Sequence, residues 1–339
     1  EDTIKNTLLN STFSNFKATA YYKQEDRYFD WKLSVKSEIN NYNWYGLPNL
    51  NFTSTTVNAI EEEQVYNYFE LAGELNFEDS CIDFGKVALS YFSDTYHSNE
   101  VLLGINGTLN LPLDFLQLNI NDIGVNTSLE LLKGEFKNSY REKNPMNYSL
   151  ITAKIQPEYA FSLKMFSMKY GAKFIVSLDT ENKATNFFVF PELHISSSLI
   201  KNYVNAYGGF TGGLHTNTYK SFTEENPFVS PTLFITQTAE KSNLFFGIKG
   251  NIHNSLSFNL RVNAKNEEDK PLFLRNNSKS DGTYQITNGT PIKGYEYGNS
   301  FGVFYDDVKT TTLFAEVAYD FTKRISFAAN IQQDSYTVN

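Results

Sequence analysis

The sequence predicts an all-β fold, an antiparallel transmembrane β-barrel of the outer-membrane type with about 14 strands in this chain. Three observations predict it. Apolar and polar residues alternate strictly in segment after segment, the connectors between segments alternate short and long, and no apolar run approaches the roughly 20 residues of a spanning helix.

Composition agrees with that choice. Hydrophobic residues make up 41% and aromatics 16% of the chain, with 29 Phe and 22 Tyr against 3 Met and 2 Trp, a mixture that favours strands over helices. A length of 339 residues fits either two ordinary domains or one large all-β unit and does not decide between them; the strand pattern, unbroken along the chain, reads residues 1–339 as a single barrel domain with no visible plug. No N-terminal stretch has the zones of a secretory leader, which leaves open a mature exported protein. The net charge of −9, with Lys and Arg scattered, argues against nucleic acid as a partner.

The strands follow in order. Phe16, Ala18, Ala20 and Tyr22 alternate with polar residues, then Trp31, Leu33, Val35 and Ile39, then Val65, Phe69, Leu71, Leu75 and Phe77. Val87, Leu89 and Tyr91 form the next, followed by Val101, Leu103, Ile105, Leu109 and Leu111. The middle third continues through 125–136, 151–159, 168–178, 187–195 and 203–210. Pro157 and Pro191 fall inside two of these runs and predict an edge, a bulge or a strand end, because proline cannot donate to a ladder. Leu244, Phe246, Ile248 and Ile252 then turn at His253, Asn254 and Ser255 into Leu256, Phe258, Leu260, Val262 and Ala264. A final hairpin runs from Leu313, Ala315, Val317, Tyr319 and Phe321 through Thr322 to Arg324 and back along Ile325, Phe327, Ala329 and Ile331.

Short turns are expected near Glu25, Glu78 to Ser80, Asp114, Phe166, Leu199, Asn254 and Lys323. Between them lie long polar connectors at 40–64, 93–100, 137–148, 179–186, 214–241 and 266–299. In an up-and-down antiparallel sheet, odd and even connections emerge at opposite ends. One rim is therefore trimmed and the other elaborated, as in outer-membrane barrels with short periplasmic turns and long outer loops. The second face carries Lys, Arg, Glu, Asn and Ser, which predicts a wet or plugged interior.

Tyr21, Tyr22, Tyr28, Trp31, Tyr91, Tyr159, Tyr319 and Phe321, near the ends of the stripes, suit interfacial girdles. With the short turns periplasmic, both termini fall outside. Complete barrels start and finish in the periplasm, so at least one strand is expected beyond each end, in a barrel of about sixteen strands or more. The chain also ends at Thr337, Val338 and Asn339 without a terminal aromatic.

Catalytic chemistry is not legible, so no enzyme is predicted and no catalytic, cofactor-binding or metal residue is assigned. His97, His194, His215 and His253 lie far apart without ligand spacing and read as polar loop or lumen residues. Gly208, Gly209, Gly212 and Gly213 lack the Lys-Ser or Lys-Thr of a phosphate loop and read as a bend or close backbone approach. Glu61 to Glu63 and Glu267 to Asp269 read as solvated loops without calcium-loop spacing. Cys81 has no partner thiol and reads as a small apolar strand residue.

Several words resemble a family of Bacteroidetes outer-membrane barrels, the barrel portion of proteins often called TonB-dependent receptors. They are Tyr28-Phe29-Asp30-Trp31, Tyr42-Asn43-Trp44-Tyr45-Gly46-Leu47, Ala206-Tyr207-Gly208-Gly209, Glu225-Asn226-Pro227-Phe228-Val229-Ser230-Pro231 and Asp269-Lys270-Pro271-Leu272-Phe273. The resemblance implies the cell outer membrane and a longer full-length protein, and it carries no mechanism. The plug and energy-coupling box of true TonB-dependent receptors are not read here.

The expected function is porin-like or receptor-like passage of a solute across the outer membrane, with lipid, a small solute and a periplasmic or outer-membrane protein as the partners. The alternatives are a structural or assembly barrel that scaffolds other proteins, and a soluble secreted β-sandwich that binds a ligand.

Overall fold

The computed structural model describes residues 3–4, 12–48, 52–78, 80–111, 123–141, 144–200, 203–253, 255–322 and 324–338. One antiparallel sheet of 14 strands dominates it. The strands are β1 (Phe13–Glu25), β2 (Phe29–Asn43), β3 (Glu63–Phe77), β4 (Ile82–Asp94), β5 (Asn99–Leu111), β6 (Ile123–Phe136) and β7 (Met146–Leu163). They continue as β8 (Phe166–Asp179), β9 (Ala184–Ile200), β10 (Val204–Thr216), β11 (Gln237–His253), β12 (Leu256–Arg275), β13 (Phe301–Thr322) and β14 (Ile325–Val338). Every strand pairs with its neighbours in sequence, and β1 and β14 are the two free edges of an unclosed sheet. All fourteen predicted strands are present.

Register follows from the alternation. Leu244 faces Ala264, Phe246 faces Val262 and Ile248 faces Leu260, so the apolar stripe of β11 meets that of β12 on one face. A slip of one residue would carry every apolar side chain to the other side.

That apolar face is open. Leu244 is 60% exposed, Phe246 58% and Leu313 54%, and Leu71, Leu89, Phe174 and Val189 on other strands are exposed as well. A soluble sandwich would pack these stripes against one another; here they form one continuous apolar surface of the kind that a barrel presents to lipid. At the short-turn rim of this face, Tyr22 meets Trp31 at 5.3 Å, Tyr159 meets Tyr170 at 5.5 Å and Tyr319 meets Phe321 at 6.4 Å, a belt of ring contacts. Tyr21 departs from the girdle assignment, since it lies on the polar face beneath the Lys32 ammonium.

The polar face is laced with opposite charges. Glu74 lies between Lys32 at 3.3 Å and Lys86 at 2.8 Å, one rung apart on either side. Glu158 pairs with Lys169. Cross-strand pairs of this kind support the sheet and keep the face hydrophilic.

Two of the expected long connectors are tight turns. Phe92 pairs with Glu100 and Ser93 with Asn99, leaving only residues 95–98 as the turn, and Asp179 pairs with Ala184, leaving residues 180–183. Backbone pairing continues past the apolar band, where alternation no longer marks it. The same effect carries β12 to Arg275, well into the segment expected as a connector. The turn expected near Asp114, and the turn residues Asn254 and Lys323 themselves, lie outside the described residues.

Pro157 and Pro191 sit inside interior strands, so neither marks an edge. The ladder opens locally instead. The pairing of β7 with β8 skips from Gly171 with Glu158 to Phe174 with Ile155, and the pairing of β9 with β10 begins only at Leu193. Each proline thus has one side free of ladder bonds. Cys81, read as a strand residue, is exposed in the turn before β4.

Three of the four glycines of the patch, Gly208, Gly209 and Gly212, follow the close-approach reading, while Gly213 faces open space. A Cβ on Gly209 would strike the Leu193 carbonyl and the Phe245 ring, and one on Gly212 would strike the Phe190 ring at 2.7 Å. Tyr207 covers Gly247 and Tyr148 covers Gly134 in the same way. Aromatic rings thus fill the notches that glycines leave in the sheet.

Candidate ligand-binding site at the loop rim

Among the described residues, the buried aromatic core lies at the elaborated rim. Tyr42, Trp44, Tyr66, Phe92, Phe136, Tyr219, Phe222, Val229 and Tyr295 are among its members, drawn from strand ends and from the three longest loops. The described parts of these loops, residues 44–48 and 52–62, 217–236 and 276–300, fold back over the polar face.

Helix α1 (Tyr219–Glu225) opens the middle loop with a capping box between Thr218 and Ser221. Its first turn meets a buried carboxylate. Glu100 Oε2 accepts the Tyr219 backbone N–H at 2.7 Å and the Tyr148 hydroxyl at 2.8 Å, and Oε1 accepts the Lys220 N–H at 3.2 Å. The Tyr219 hydroxyl donates to Asp94 Oδ2 at 2.9 Å. A helix start offers unpaired N–H groups, so a carboxylate is the fitting partner.

The far end of the loop is pinned separately. Tyr42 donates to the Tyr66 hydroxyl at 2.7 Å, and Tyr66 donates to the Pro227 carbonyl at 3.0 Å. The Ser230 N–H then bonds the Phe301 carbonyl at 2.8 Å. A segment from between β10 and β11 is therefore fastened to strands β2 to β7 across the polar face.

The third loop carries a small hairpin, Ile286–Thr287 with Thr290–Pro291, closed by Asn288 and Gly289 at positive φ. Beyond it, the Lys279 ammonium pairs with Glu296 at 2.6 Å and lies 4.6 Å from the Tyr140 ring centroid. Arg275 donates to the Gly298 carbonyl at 2.6 Å and to the Gly46 carbonyl at 3.2 Å, tying this loop to the first. Tyr295 packs edge-on against Tyr96 at 4.8 Å. Burial pushes the Tyr295 phenol upward, with the Glu296 charge adding to it.

Among these loops lies a cavity of about 1040 Å³, bounded by 138–141, 230–234 and 274–303. That volume is at the upper end of what small-molecule sites occupy, roughly 300–1,000 Å³. Its polar lining includes Arg141, Lys293, Asn138, Asn277 and Asn288. The sequence marks no residue of this site, and the loop chemistry explains why. Glu100 and Tyr219 lie 119 positions apart, and neither stands in a recognisable motif.

The other sequence candidates stay separate. His194 Nε2 is 2.9 Å from Glu192 and His215 Nε2 is 3.8 Å from Glu240, both on the polar face, while His97 caps the turn at 95–98 with a φ of 64°. Glu267 to Asp269 correct the solvated-loop reading, because they lie within β12. Glu267 is paired with Lys265 and Lys270, and Glu268 with Lys241.

No family model and no curated protein matches the sequence. Solved structures do match in fold. The copper transporter OprC aligns over 97% of this chain and 54% of its own, with a TM-score of 0.60 at 10% identity. The FrpB iron transporter of Neisseria meningitidis, F5-1 variant, aligns over 97% and 54% with a TM-score of 0.62 at 9% identity. The siderophore receptor PirA of Pseudomonas aeruginosa aligns over 96% and 58% with a TM-score of 0.60 at 11% identity. These neighbours are TonB-dependent receptors, and the chain spans a little over half their length. The fold is that of part of these proteins' β-barrel wall, here as one open sheet.

Proposed function

We propose that residues 1–339 act as one non-enzymatic barrel unit in the outer membrane, and that the protein takes a solute across it. The apolar face contacts lipid, the polar face lines the passage, and the loop rim receives the solute. The observation that carries this reading is the alignment of nearly the whole chain with a copper transporter, an iron transporter and a siderophore receptor. A protein ligand is a second kind of cargo for this reading, since one structural neighbour is FpvAI in its complex with pyocin S2.

Reconstitution of the natural full-length protein into liposomes tests the reading. Conductance, or uptake of copper ion, a ferric chelate or an oligosaccharide, is the expected result. Absence of conductance and of uptake of all three sinks it.

A scaffold role is the second reading, and the loops fastened across the polar face favour it. Under that reading a blocked barrel would be recovered from membranes with partner proteins in fixed ratio, and reconstituted vesicles would stay tight.

A further inference from the structure

The cavity at the loop rim is electrostatically unlike the rest of the molecule. The chain carries a net charge of −9, yet the residues lining this cavity include four cations, Arg141, Arg275, Lys279 and Lys293, against the single carboxylate of Glu296. That carboxylate is already occupied, by the Lys279 ammonium at 2.6 Å and the Lys293 backbone N–H at 2.8 Å. Arg275 is held by two backbone carbonyls, which leave its charge uncompensated. Among the described residues no carboxylate lies within 4.0 Å of the Arg141 guanidinium or the Lys293 ammonium, and both side chains are exposed. A concave wall of one sign concentrates ions of the other.

The uncharged lining has its own bias. Asn138, Asn277 and Asn288 offer amides that both donate and accept, and Thr287 and Thr290 add hydroxyls. Such groups match hydroxyls and ring oxygens, which also donate and accept. Cations match an acid, and guanidinium binds a carboxylate through two parallel hydrogen bonds.

We propose that this cavity binds a polyhydroxylated carboxylate, a solute that carries several hydroxyls beside one or more acid groups. Arg141 and Lys293 hold the acid, and the asparagines with Thr287 and Thr290 hold the hydroxyls. The proposal rests on the solute-passage reading by naming the class of solute, and its test is independent of transport.

Two sources share this chemistry, sugar acids and small hydroxy acids, and trigalacturonate and citrate stand for them. Calorimetric titration of the full-length protein in detergent is expected to show binding of at least one, weakening as salt is raised. Whichever binds identifies the source. Maltotriose, with hydroxyls and no acid, should bind at least tenfold more weakly. Arg141→Gln and Lys293→Gln should each weaken the acid roughly tenfold, the scale of a lost charge-assisted hydrogen bond. Both are exposed positions, and unchanged unfolding midpoints would show that the fold persists.

The proposal is overturned if neither acid binds, if maltotriose binds as well as the acid, or if the double variant binds the acid unchanged. Loss of vesicle uptake with acid binding intact would instead strike the transport reading alone.

Discussion

The backbone N–H of Tyr219 lies 2.7 Å from Oε2 of Glu100, joining the start of a loop helix to a strand 119 positions earlier in the chain. Glu100 is 3% exposed, so its carboxylate depends on the loop as much as the loop depends on it. An unpaired buried charge is costly, and the three N–H and O–H donors around Glu100 are what make its burial tolerable.

Glu100→Ala should therefore loosen the loop at 217–236 while leaving the sheet intact. A hydrogen bond to a charged group contributes about 1.5–3 kcal/mol, so the released population should rise at least tenfold. Trypsin cleavage after Lys220, largely covered in the folded state, measures it. A cleavage rate equal to that of the parent would show that the carboxylate does not fasten the loop.

The glycines of β10 differ in what surrounds them, and substitution should expose the difference. Gly209→Ala drives a methyl into the Leu193 carbonyl and the Phe245 ring, and such overpacking costs about 1–3 kcal/mol. Gly213→Ala meets nothing within 4 Å and should be close to neutral. Urea unfolding midpoints of the two variants in micelles decide the matter, and equal midpoints would contradict the notch account.

Alkaline pH should weaken the loop rim. Burial raises the phenols of Tyr219 and Tyr295 above their ordinary 10.0, with Asp94 and Glu296 respectively adding to the shift. A group whose folded value lies above its unfolded one stabilises fully below the unfolded value and loses that contribution as pH rises through the folded one. Tryptic sensitivity of the loops should thus stay flat to about pH 10 and climb above it. Tyr219→Phe, which cannot ionise, should show a shallower climb. An identical climb in that variant would remove Tyr219 from the explanation.

Most of the sheet was legible because one physical fact sets both the strands and their register. Successive side chains point to opposite faces, so Leu244, Phe246 and Ile248 declare a strand and its orientation together. Legibility ended with the apolar band. Ser93 pairs with Asn99 beyond it without any apolar marker, which is why the turn at 95–98 looks longer in the sequence than it is.

The loop rim was harder for two reasons. Its contacts join residues far apart in sequence, as Tyr66 joins Pro227 and Arg275 joins Gly46. Its one local signal was the Asn288-Gly289 pair, a hairpin signature within a segment that read as featureless polar connector. The charged run at Glu267 to Asp269 misled for a related reason, since Lys241, which neutralises Glu268, is brought to it by strand pairing, while Lys265 and Lys270 flank Glu267 on its own strand.

Lipid contact along the open face is the claim on which everything else depends, and a spin-label scan tests it most directly. Single cysteines at 256–265, in a background with Cys81→Ser, would be labelled in the full-length protein in proteoliposomes. Labels at Leu256, Phe258, Leu260, Val262 and Ala264 should collide with dissolved oxygen, and those at Ser257, Asn259, Arg261 and Asn263 with a water-soluble relaxant. Collision profiles without a two-residue period, or with the two sets exchanged, would contradict the account.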